Sequence, residues 1–202
     1  MDLTLFREVN GLAYRHDGFE DFVRFFAVYA EYLFLALLAV LFLARGKWAS
    51  RNARHGVVAA GLSAALALGA AQVIVHLWQR PRPFVSHPDV VHLFVQHATD
   101  PSFPSDHATA AFAIAVSILL RNRRVGLLAL AMAILVAVGR VAVGVHYPGD
   151  VIGGALLGSA AALLLWIPPV RRPLHELADW AAGLYELVSF WLLRRPATLP
   201  PA

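Results

Sequence analysis

The chain has 202 residues, of which 59% are hydrophobic and only 15% are charged. Soluble domains carry roughly 25% charged residues, so this composition excludes an ordinary soluble or disordered protein. The absence of cysteine excludes disulfides, thiol catalysis and thiolate metal sites. The formal net charge of +4 fits a membrane protein with basic cytoplasmic loops better than a nucleic-acid-binding protein, so no nucleic-acid partner is expected.

Five apolar runs are candidate membrane spans, because a bilayer core about 30 Å thick needs roughly 20 residues of helix. Each run is bounded by charged residues, proline or glycine. In chain order the runs cover residues 25–44, 56–78, 107–120, 125–138 and 151–167. This pattern predicts an all-α integral membrane bundle that forms a single domain, residues 1–202, without room for a second domain.

Two flanking segments have the pattern of helices that lie on a membrane surface. Between residues 174 and 193, apolar side chains recur at helical spacing, while Glu176, Asp179 and Glu186 occupy other faces. The N-terminal stretch up to Phe19 is a weaker case of the same kind. The C-terminal segment is either an interfacial helix or a sixth span. We therefore predict five to six transmembrane helices and an interfacial N-terminal helix.

The distribution of basic residues predicts the orientation of the bundle. Nine of them follow odd-numbered spans and share one side, which the positive-inside rule makes cytoplasmic. They are Arg45, Lys47, Arg51, Arg54, Arg121, Arg123, Arg124, Arg171 and Arg172. The loops 79–106 and 139–150 then lie on the outer side. Arg80, Arg82 and Arg140 break the rule there, which indicates that they have another role.

The two outer loops carry residues suited to binding phosphate. A guanidinium group matches phosphate oxygens bidentately and stays charged at any working pH, which favours Arg82 and Arg140, with Arg80 beside them, as phosphate ligands. Ser105 follows a proline and precedes a long helix, so it is a natural N-cap, and the free backbone amides there bind anions. Asp106, next to it, is a candidate for supporting substrate binding or proton transfer.

Two histidines have the arrangement that phosphoryl transfer needs. His146 and Asp150 are four residues apart, a spacing that can bring the carboxylate to one imidazole nitrogen and leave the other facing phosphorus. An oriented neutral imidazole is a competent nucleophile. His107, at the start of another helix, is placed to protonate the leaving oxygen and later to activate water. Arginines can neutralise the phosphate charge without a metal, so no metal or cofactor is expected.

The residues of these loops resemble the three signature motifs of the type 2 phosphatidic acid phosphatase superfamily, in the same order. The matching segments are Arg82-Pro83, Pro104-Ser105-Asp106-His107, and Gly139-Arg140 followed by His146 and Asp150. Within that superfamily, the sequences 80–84 and 102–108 resemble the bacterial undecaprenyl-diphosphatase branch, in which Asp replaces the commoner Gly before the histidine. Together with the span pattern, the resemblance covers about residues 20–168.

The resemblance implies a six-helix enzyme of the bacterial inner membrane that forms a phosphohistidine without metal and hydrolyses lipid phosphates at the outer face. The implied substrate is undecaprenyl diphosphate, cleaved to undecaprenyl phosphate and phosphate, which recycles a lipid carrier for cell-wall synthesis and is linked to bacitracin resistance. The implied roles are nucleophile for His146, acid/base for His107, orientation of His146 for Asp150, and phosphate binding for Arg82, Ser105 and Arg140.

The sequence departs from the family pattern at two positions. The first motif usually begins with a lysine seven residues before its arginine. Here Val75 holds that position, with Arg80 or His76 as the available substitutes. Gly139 replaces the usual serine before the arginine of the third motif. The first phosphate contact therefore stays open.

Other polar residues near the predicted site have simpler interpretations. His87, His92 and His97 are expected to be solvated loop residues, because their spacing lacks the carboxylate framework of a metal site. Glu31 is costly within a span, and it is either functional or paired inside the bundle.

Two kinds of alternative function are open. In the first, the phosphatase chemistry is the same but the substrate is another lipid phosphate, such as phosphatidylglycerol phosphate, phosphatidate or lipid A phosphate. A non-enzymatic anion channel or transporter is a remote alternative, which gives no account of the spacing of His146 and Asp150. A vanadate-binding peroxidase shares the motifs of the superfamily, but such enzymes are soluble and the five spans argue against it.

Overall fold

The computed structural model describes residues 2–44 and 50–193, so the predicted cytoplasmic residues Arg45 and Lys47 lie outside the described residues. The described part of the chain forms eight helices and no strand. They are α1 (Asp2–Arg15), α2 (Asp17–Leu43), α3 (Arg51–Leu77), α4 (Pro83–Ser86), α5 (Asp106–Leu119), α6 (Arg123–Ala142), α7 (Pro148–Leu164) and α8 (Pro168–Leu193). The all-α prediction is confirmed, and each predicted span coincides with a helix.

Three of the helices begin at residues that satisfy free backbone amides. The side chain of Ser50 accepts a hydrogen bond from the amide of Ala53 at 3.3 Å at the start of α3, and Asn122 does the same at the start of α6. At α7, Pro148 fills the first turn and Asp150 caps the helix through its side chain. These residues are typical of helix N-termini.

The number of full-length spans is smaller than predicted. Among the described residues, α2, α3 and α6 are long and apolar enough to cross a membrane, and α7 and α8 pass the same test only together. α5 is apolar but has 14 residues, which extend about 21 Å at 1.5 Å per residue. The proline-rich loop before Asp106 delays the start of α5, and the chain turns between Leu164 and Pro168, so the prediction of five to six spans is corrected.

α8 leaves α7 at an angle of 82° and packs on α3. Arg51 and Asp179 lie 2.5 Å apart, as do Arg54 and Glu186. The hydroxyl of Tyr185 donates to the carbonyl of Leu43 at 3.0 Å. The C-terminal helix is therefore anchored at the end of the bundle that carries the basic residues.

α1 is present where the N-terminal amphipathic segment was predicted. Phe6, Asn10 and Ala13 are buried on one face. The Asn10 side chain donates to the carbonyls of His92 and Ala142 at 2.7 and 2.8 Å. These contacts fix α1 against the loop between α4 and α5 and against the end of α6.

α5 is the central helix and packs against α3, α6 and α7. Its approach to α7 depends on glycine, because a Cβ at Gly154 would lie 2.6 Å from the carbonyl oxygen of Ser105, and one at Gly158 would lie 2.2 Å from that of Thr109. No side chain fits at either position. The close crossing brings the start of α5 beside the start of α7, where the predicted site residues lie.

Candidate active site

The three motif segments come together at one end of the bundle. Arg82 is the N-cap of α4, and Ser105 precedes the first turn of α5. Arg140 lies in the last turn of α6, His146 in the loop that follows, and Asp150 in the first turn of α7. The amide of Ser105 donates to the carbonyl of Asp150 at 3.1 Å, which joins the second and third motifs directly.

His146 is buried, with 2% of its surface exposed, and both ring nitrogens have partners. Nδ1 lies 2.9 Å from the carbonyl oxygen of Ser102, which can only accept, so Nδ1 carries the proton. Nε2 lies 3.0 Å from Nη1 of Arg82, which can only donate, so Nε2 keeps its lone pair. The contacts therefore select the neutral tautomer whose free nitrogen faces an arginine.

Burial lowers the pKa of His146 from 6.5 to about 4, and the positive charges of Arg82 and Arg140 act in the same direction. Asp150 opposes the shift but does not outweigh it. The imidazole is therefore uncharged at neutral pH. This is the protonation state that a nucleophilic nitrogen requires.

Asp150 is fully buried, and its carboxylate is held by several groups. Oδ2 accepts from the hydroxyl of Ser102 at 2.5 Å and from the amide of Tyr147 at 2.8 Å, and it lies 3.7 Å from Nδ1 of His146. The direct acceptor of the His146 proton is thus the Ser102 carbonyl. The carboxylate stands just behind it and holds both Ser102 and the residue that follows the histidine.

Ser102 was not singled out as functional from the sequence. It lies in the second motif segment three residues before Ser105, and it is fully buried. Its carbonyl binds His146 and its hydroxyl binds Asp150. The sequence shows only a serine in a proline-bounded loop. That pattern does not distinguish this role from loop packing.

Arg82 and Arg140 are both buried, with 4% of each exposed. Arg82 donates to the carbonyls of Asp100 and Val145, each at 3.0 Å, and pairs with the carboxylate of Asp100. Arg140 donates from Nη1 to the carbonyl of Ala27 at 3.2 Å. Within the described residues, its Nε and Nη2 atoms are buried without a hydrogen-bond partner.

The hydroxyl of Ser105 is also buried and has no partner in the part of the chain that the structure describes. Buried polar groups are nearly always hydrogen-bonded, and an unpaired cationic N–H is especially costly. Ser105 and Arg140 thus supply free donors within the second and third motif segments. An anion such as phosphate satisfies such donors.

His107 and Glu31 meet across the site from α5 and α2. Nε2 of His107 lies 3.5 Å from Oε1 of Glu31, close enough for an ion pair when the ring is protonated. Glu31 thus faces the site rather than an unrelated part of the bundle. Asp106, the first residue of α5, is exposed and lines the same cavity as His107.

Arg80 is placed differently from the other two arginines. Its Nη1 donates to Asp150 at 2.7 Å and its Nη2 to Asp2 at 2.6 Å, and its guanidinium carbon lies 4.1 Å from the centre of the Tyr147 ring. The Arg80 guanidinium, which was predicted to bind phosphate, is therefore already hydrogen-bonded to two carboxylates. Like Ser105 and Arg140, Arg80 and His76 are not among the described residues that line the cavity, where Val75 replaces the lysine of the family.

The loop histidines divide into two groups. His97, expected to be a solvated loop residue, lines the cavity with its ring centre 6.3 Å from that of His146. Partial burial lowers its pKa below 6.5. His92 instead stacks on Tyr14, and His87 contacts the Tyr147 ring, so these two lie away from the cavity.

Asp100, beside His97, was also missed from the sequence. Burial favours its neutral form, but the hydrogen bond and the charge of Arg82 outweigh that effect and lower the pKa of the carboxyl group. Asp100 is therefore an anion, and it pairs with the guanidinium of Arg82. An isolated aspartate in a loop gives no sequence signal for this role.

A cavity of about 590 Å³ connects these polar groups to an apolar groove. Side chains at its polar end include Arg82, His97, Asp106, His107 and His146. Apolar side chains from α2, α3 and α5 line the rest, among them Phe34, Leu35, Leu68, Val75 and Ile114. A polar end continuous with an apolar groove suits a ligand with a charged head and a hydrocarbon tail.

The chain is similar to known proteins in sequence and in fold. The chain matches the family model of the PAP2 superfamily over residues 56–172. It is 30% identical to the undecaprenyl-diphosphatase BcrC of Bacillus subtilis (strain 168), over 97% of each chain. It is 34% identical to the bacitracin transport permease protein BcrC of Bacillus licheniformis, over 94% of this chain and 89% of the relative.

Among solved structures, the fold is similar to the crystal structure of LpxE from Aquifex aeolicus. The TM-score is 0.68 and the identity 28%, and the match covers 81% of this chain and 93% of that one. The family model spans more than half of this chain and includes all three motif segments. The predicted resemblance to the bacterial undecaprenyl-diphosphatase branch is confirmed. The chain belongs to the PAP2 superfamily, as a membrane lipid phosphatase.

Proposed function

We propose that this protein hydrolyses undecaprenyl diphosphate to undecaprenyl phosphate and inorganic phosphate, through a phosphohistidine at His146 and without a metal ion. The observation that carries the proposal is the cavity that joins an apolar groove to His107, His146 and Arg82. A polyprenyl tail can stay in the groove while the diphosphate meets the arginines. The 30% sequence identity to an undecaprenyl-diphosphatase, over 97% of the chain, supports this substrate.

In the first step, Nε2 of His146 attacks the terminal phosphorus of the diphosphate. The bond between that phosphorus and the bridging oxygen breaks, and the oxygen takes a proton from His107. Undecaprenyl phosphate leaves, and the His146 ring gains positive charge. The Ser102 carbonyl at 2.9 Å and the Asp150 carboxylate at 3.7 Å from Nδ1 stabilise that charge.

In the second step, His107 takes a proton from water, and the water oxygen attacks the phosphohistidine. The bond between Nε2 and phosphorus breaks, inorganic phosphate leaves, and His107 is again protonated. Arg82, Arg140 and the Ser105 hydroxyl hold the phosphoryl oxygens during both steps. Phosphoryl transfer depends mainly on such positioning and charge neutralisation.

Substrate binding must also free the nucleophile. Arg82 donates to Nε2 of His146 at 3.0 Å. A phosphoryl group is a stronger acceptor for a guanidinium than a neutral imidazole. The substrate therefore draws Arg82 off the nitrogen that attacks it.

A panel of lipid phosphates tests the substrate. The protein, purified in detergent with a chelator, is offered undecaprenyl diphosphate, phosphatidylglycerol phosphate, phosphatidate and lipid A phosphate, and released phosphate is measured. We expect the highest kcat/KM for the prenyl diphosphate and a loss of roughly 10⁴-fold or more in His146→Ala. His92→Ala is the matched control and should retain full activity, because His92 lies outside the cavity.

Three results decide against parts of the proposal. Preference for another lipid changes the substrate, and activity that the chelator abolishes removes the metal-free mechanism. Because the Bacillus licheniformis relative is named as a transport permease protein, bacitracin or anion flux without hydrolysis in proteoliposomes would favour the transporter alternative.

We also propose that the site faces the outside of a bacterial inner membrane. Arg51, Arg54, Arg121 and Arg171 lie at the end of the bundle opposite the motif segments, which the positive-inside rule makes cytoplasmic. The chain has no cysteine, so single substitutions report topology cleanly. In intact spheroplasts, a membrane-impermeant maleimide should label Ala98→Cys but not Arg124→Cys, and the reverse pattern contradicts this orientation.

A further inference from the structure

We propose that α1 completes the active site: Asp2 and Arg80 form a relay that fixes Asp150 behind the nucleophile, so both act as positioning residues. This inference rests on the proposed function in one respect, since it takes His146 to be the nucleophile. It assigns α1 a role in the reaction, and it assigns Arg80 a role other than binding phosphate.

The relay is a continuous chain of charged contacts from the N-terminus to Asp150. Arg80 bridges the two carboxylates, with Nη1 2.7 Å from Oδ1 of Asp150 and Nη2 2.6 Å from Oδ2 of Asp2. The other oxygen of Asp2 accepts from the amide of Gly149 at 2.9 Å. Asp2 thus binds both Arg80 and the first turn of α7, the helix that carries Asp150.

Burial increases along this chain. The side chain of Asp2 is 34% exposed, that of Arg80 23%, and that of Asp150 is not exposed at all. A buried carboxylate without a cationic partner is costly, and among the ion pairs of residues 2–44 and 50–193, Arg80 is the only arginine paired with Asp150. Arg80 therefore supplies the cationic partner that the buried Asp150 needs.

Asp150 has no freedom to turn once Arg80 is bound. Oδ1 is taken by Arg80, and Oδ2 accepts from Ser102 and Tyr147. Ser102 in turn accepts the Nδ1 proton of His146. The orientation of the nucleophilic ring is thereby tied to the position of Arg80.

α1 is held firmly enough to place Asp2. Phe6 is fully buried and its ring centre lies 5.7 Å from that of Tyr147, the residue next to the nucleophile. Asn10 is 1% exposed and bonds both the N–H and the carbonyl of His92. Because its buried face contacts the loop that carries His146, α1 is a fixed part of this end of the bundle.

The alternation of charge explains why a second carboxylate is needed. When His146 bonds to phosphorus, its ring becomes positive, and the negative charge of Asp150 stabilises it. Arg80 alone would offset much of that negative charge at short range. Asp2 offsets Arg80 in turn, so Asp150 keeps its effect on the ring while Arg80 keeps it in place.

The test is a double-mutant cycle between Asp2→Asn and Arg80→Gln, in full-length protein tagged only at the C-terminus. Asparagine can still accept from the amide of Gly149 but lacks the charge. We expect kcat to fall about 5-fold in Asp2→Asn and about 100-fold in Arg80→Gln, with KM nearly unchanged. In the Arg80→Gln background, Asp2→Asn should have no further effect.

Two readouts separate positioning from phosphate binding and from simple structural damage. Inhibition by inorganic phosphate should weaken in Arg82→Gln but stay as in wild type in Arg80→Gln. Arg80→Lys should recover part of kcat, because its ammonium group can still pair with Asp150. Glu8→Gln, an exposed carboxylate on the same helix, is the matched control for α1 and should behave as wild type.

The relay and the proposed function fail in different ways. Activity is measured on whichever lipid phosphate the wild type cleaves, so a different substrate leaves the cycle intact. If the wild type cleaves none, the proposed function fails, and the same four proteins are compared by thermal unfolding, where coupling of the two substitutions still reports the relay. Additive effects in both measurements, or weaker phosphate inhibition in Arg80→Gln, overturn the relay.

Discussion

The two ends of the bundle use arginine in different ways. At the basic end, Arg51 and Arg54 pair with carboxylates of α8 at 2.5 Å. At the end that carries the three motif segments, here called the motif end, Arg82 binds backbone carbonyls, Asp100 and His146, and Arg140 takes part in no ion pair among the described residues. At the basic end Arg51 and Arg54 therefore have permanent partners, whereas at the motif end Arg140 keeps donors free.

Arg121 shows that an unpaired donor alone does not make a site. It lies at the basic end and has two buried nitrogens without hydrogen-bond partners in the described residues. Its guanidinium carbon lies 4.9 Å from the centre of the Trp166 ring, with Arg171 over the same ring. The motif end differs because its unpaired arginine, Arg140, lies beside the loop that carries His146 and bonds that residue through its own carbonyl.

The largest expected difference between the two ends is in the loss of kcat/KM when Arg140 or Arg51 is replaced. Removing one preorganised donor to a reacting phosphoryl group typically costs about 10²–10³-fold, so Arg140→Gln should lower kcat/KM by that amount and weaken inhibition by inorganic phosphate. Arg51→Gln, at a side chain that is 75% exposed, should leave both values within about twofold of wild type, since an exposed pair contributes little. Equal losses in the two variants would remove the distinction between the ends.

A second prediction concerns the crossing of α5 and α7, which joins the two ends. A Cβ at Gly158 would lie 2.2 Å from the Thr109 carbonyl oxygen, so Gly158→Ala should destabilise the protein by about 1–3 kcal/mol through overpacking. The matched control is Gly61→Ala on α3, where a Cβ meets nothing within 4 Å. Unfolding in detergent measures both, and equal stability of the two variants contradicts the close crossing.

A smaller effect is expected at Glu31. Its carboxylate lies 3.5 Å from Nε2 of His107, and the pair is partly exposed, so it contributes about 1 kcal/mol or less. Glu31→Gln should lower kcat by about two- to fivefold, because it weakens the stabilisation of protonated His107. Glu20→Gln, whose carboxylate pairs with Arg24 on the same helix, should not change kcat. An unchanged or faster Glu31→Gln enzyme assigns the carboxylate to packing alone.

The smallest effect is expected from mild acid. The pKa of His146 is lowered to about 4, mainly by burial, so its protonation reduces kcat/KM only about twofold at pH 4. The unfolded chain, with a pKa near 6.5, binds that proton more readily. The contribution of this ring to stability is therefore full above pH 6.5 and is lost as the pH falls toward 4.

Nuclear magnetic resonance of ring-labelled histidine measures this titration directly. The signal that is missing in His146→Ala identifies the residue, and its midpoint should lie well below 6.5. A midpoint at or above 6.5 contradicts the buried neutral ring. His92, which is exposed, provides an internal comparison in the same spectrum.

Much of the fold and of the site follows from the sequence, for physical reasons that act locally. The apolar runs predict where the long helices lie. The helix starts at Ser50, Asn122 and Pro148 follow from capping chemistry. The placement of Arg82 and Arg140 against the positive-inside rule indicated a second role, and the structure buries both beside His146. The family membership predicted from the three motifs is confirmed by the comparisons.

Other features depend on contacts between distant segments and were missed or changed. Ser102 contacts His146 through its backbone carbonyl, a group that every residue has, so the identity of the residue carries little signal for that contact. Asp2 and Arg80 are separated by the whole of α2 and α3, and only packing of α1 brings them together. The short length of α5 and the 82° bend after α7 corrected the number of spans.

The sequence by itself determined an all-α membrane phosphatase, because composition, helix periodicity and motif spacing are properties of the chain alone. Only the tertiary structure decided which partners Arg80 and Arg82 each have. Arg80 and Arg82 are two residues apart and chemically identical, yet one pairs with Asp2 and Asp150 while the other binds Asp100 and His146. The difference arises because the role of a charge is set by its burial and its partners, and these come from helices far apart in sequence.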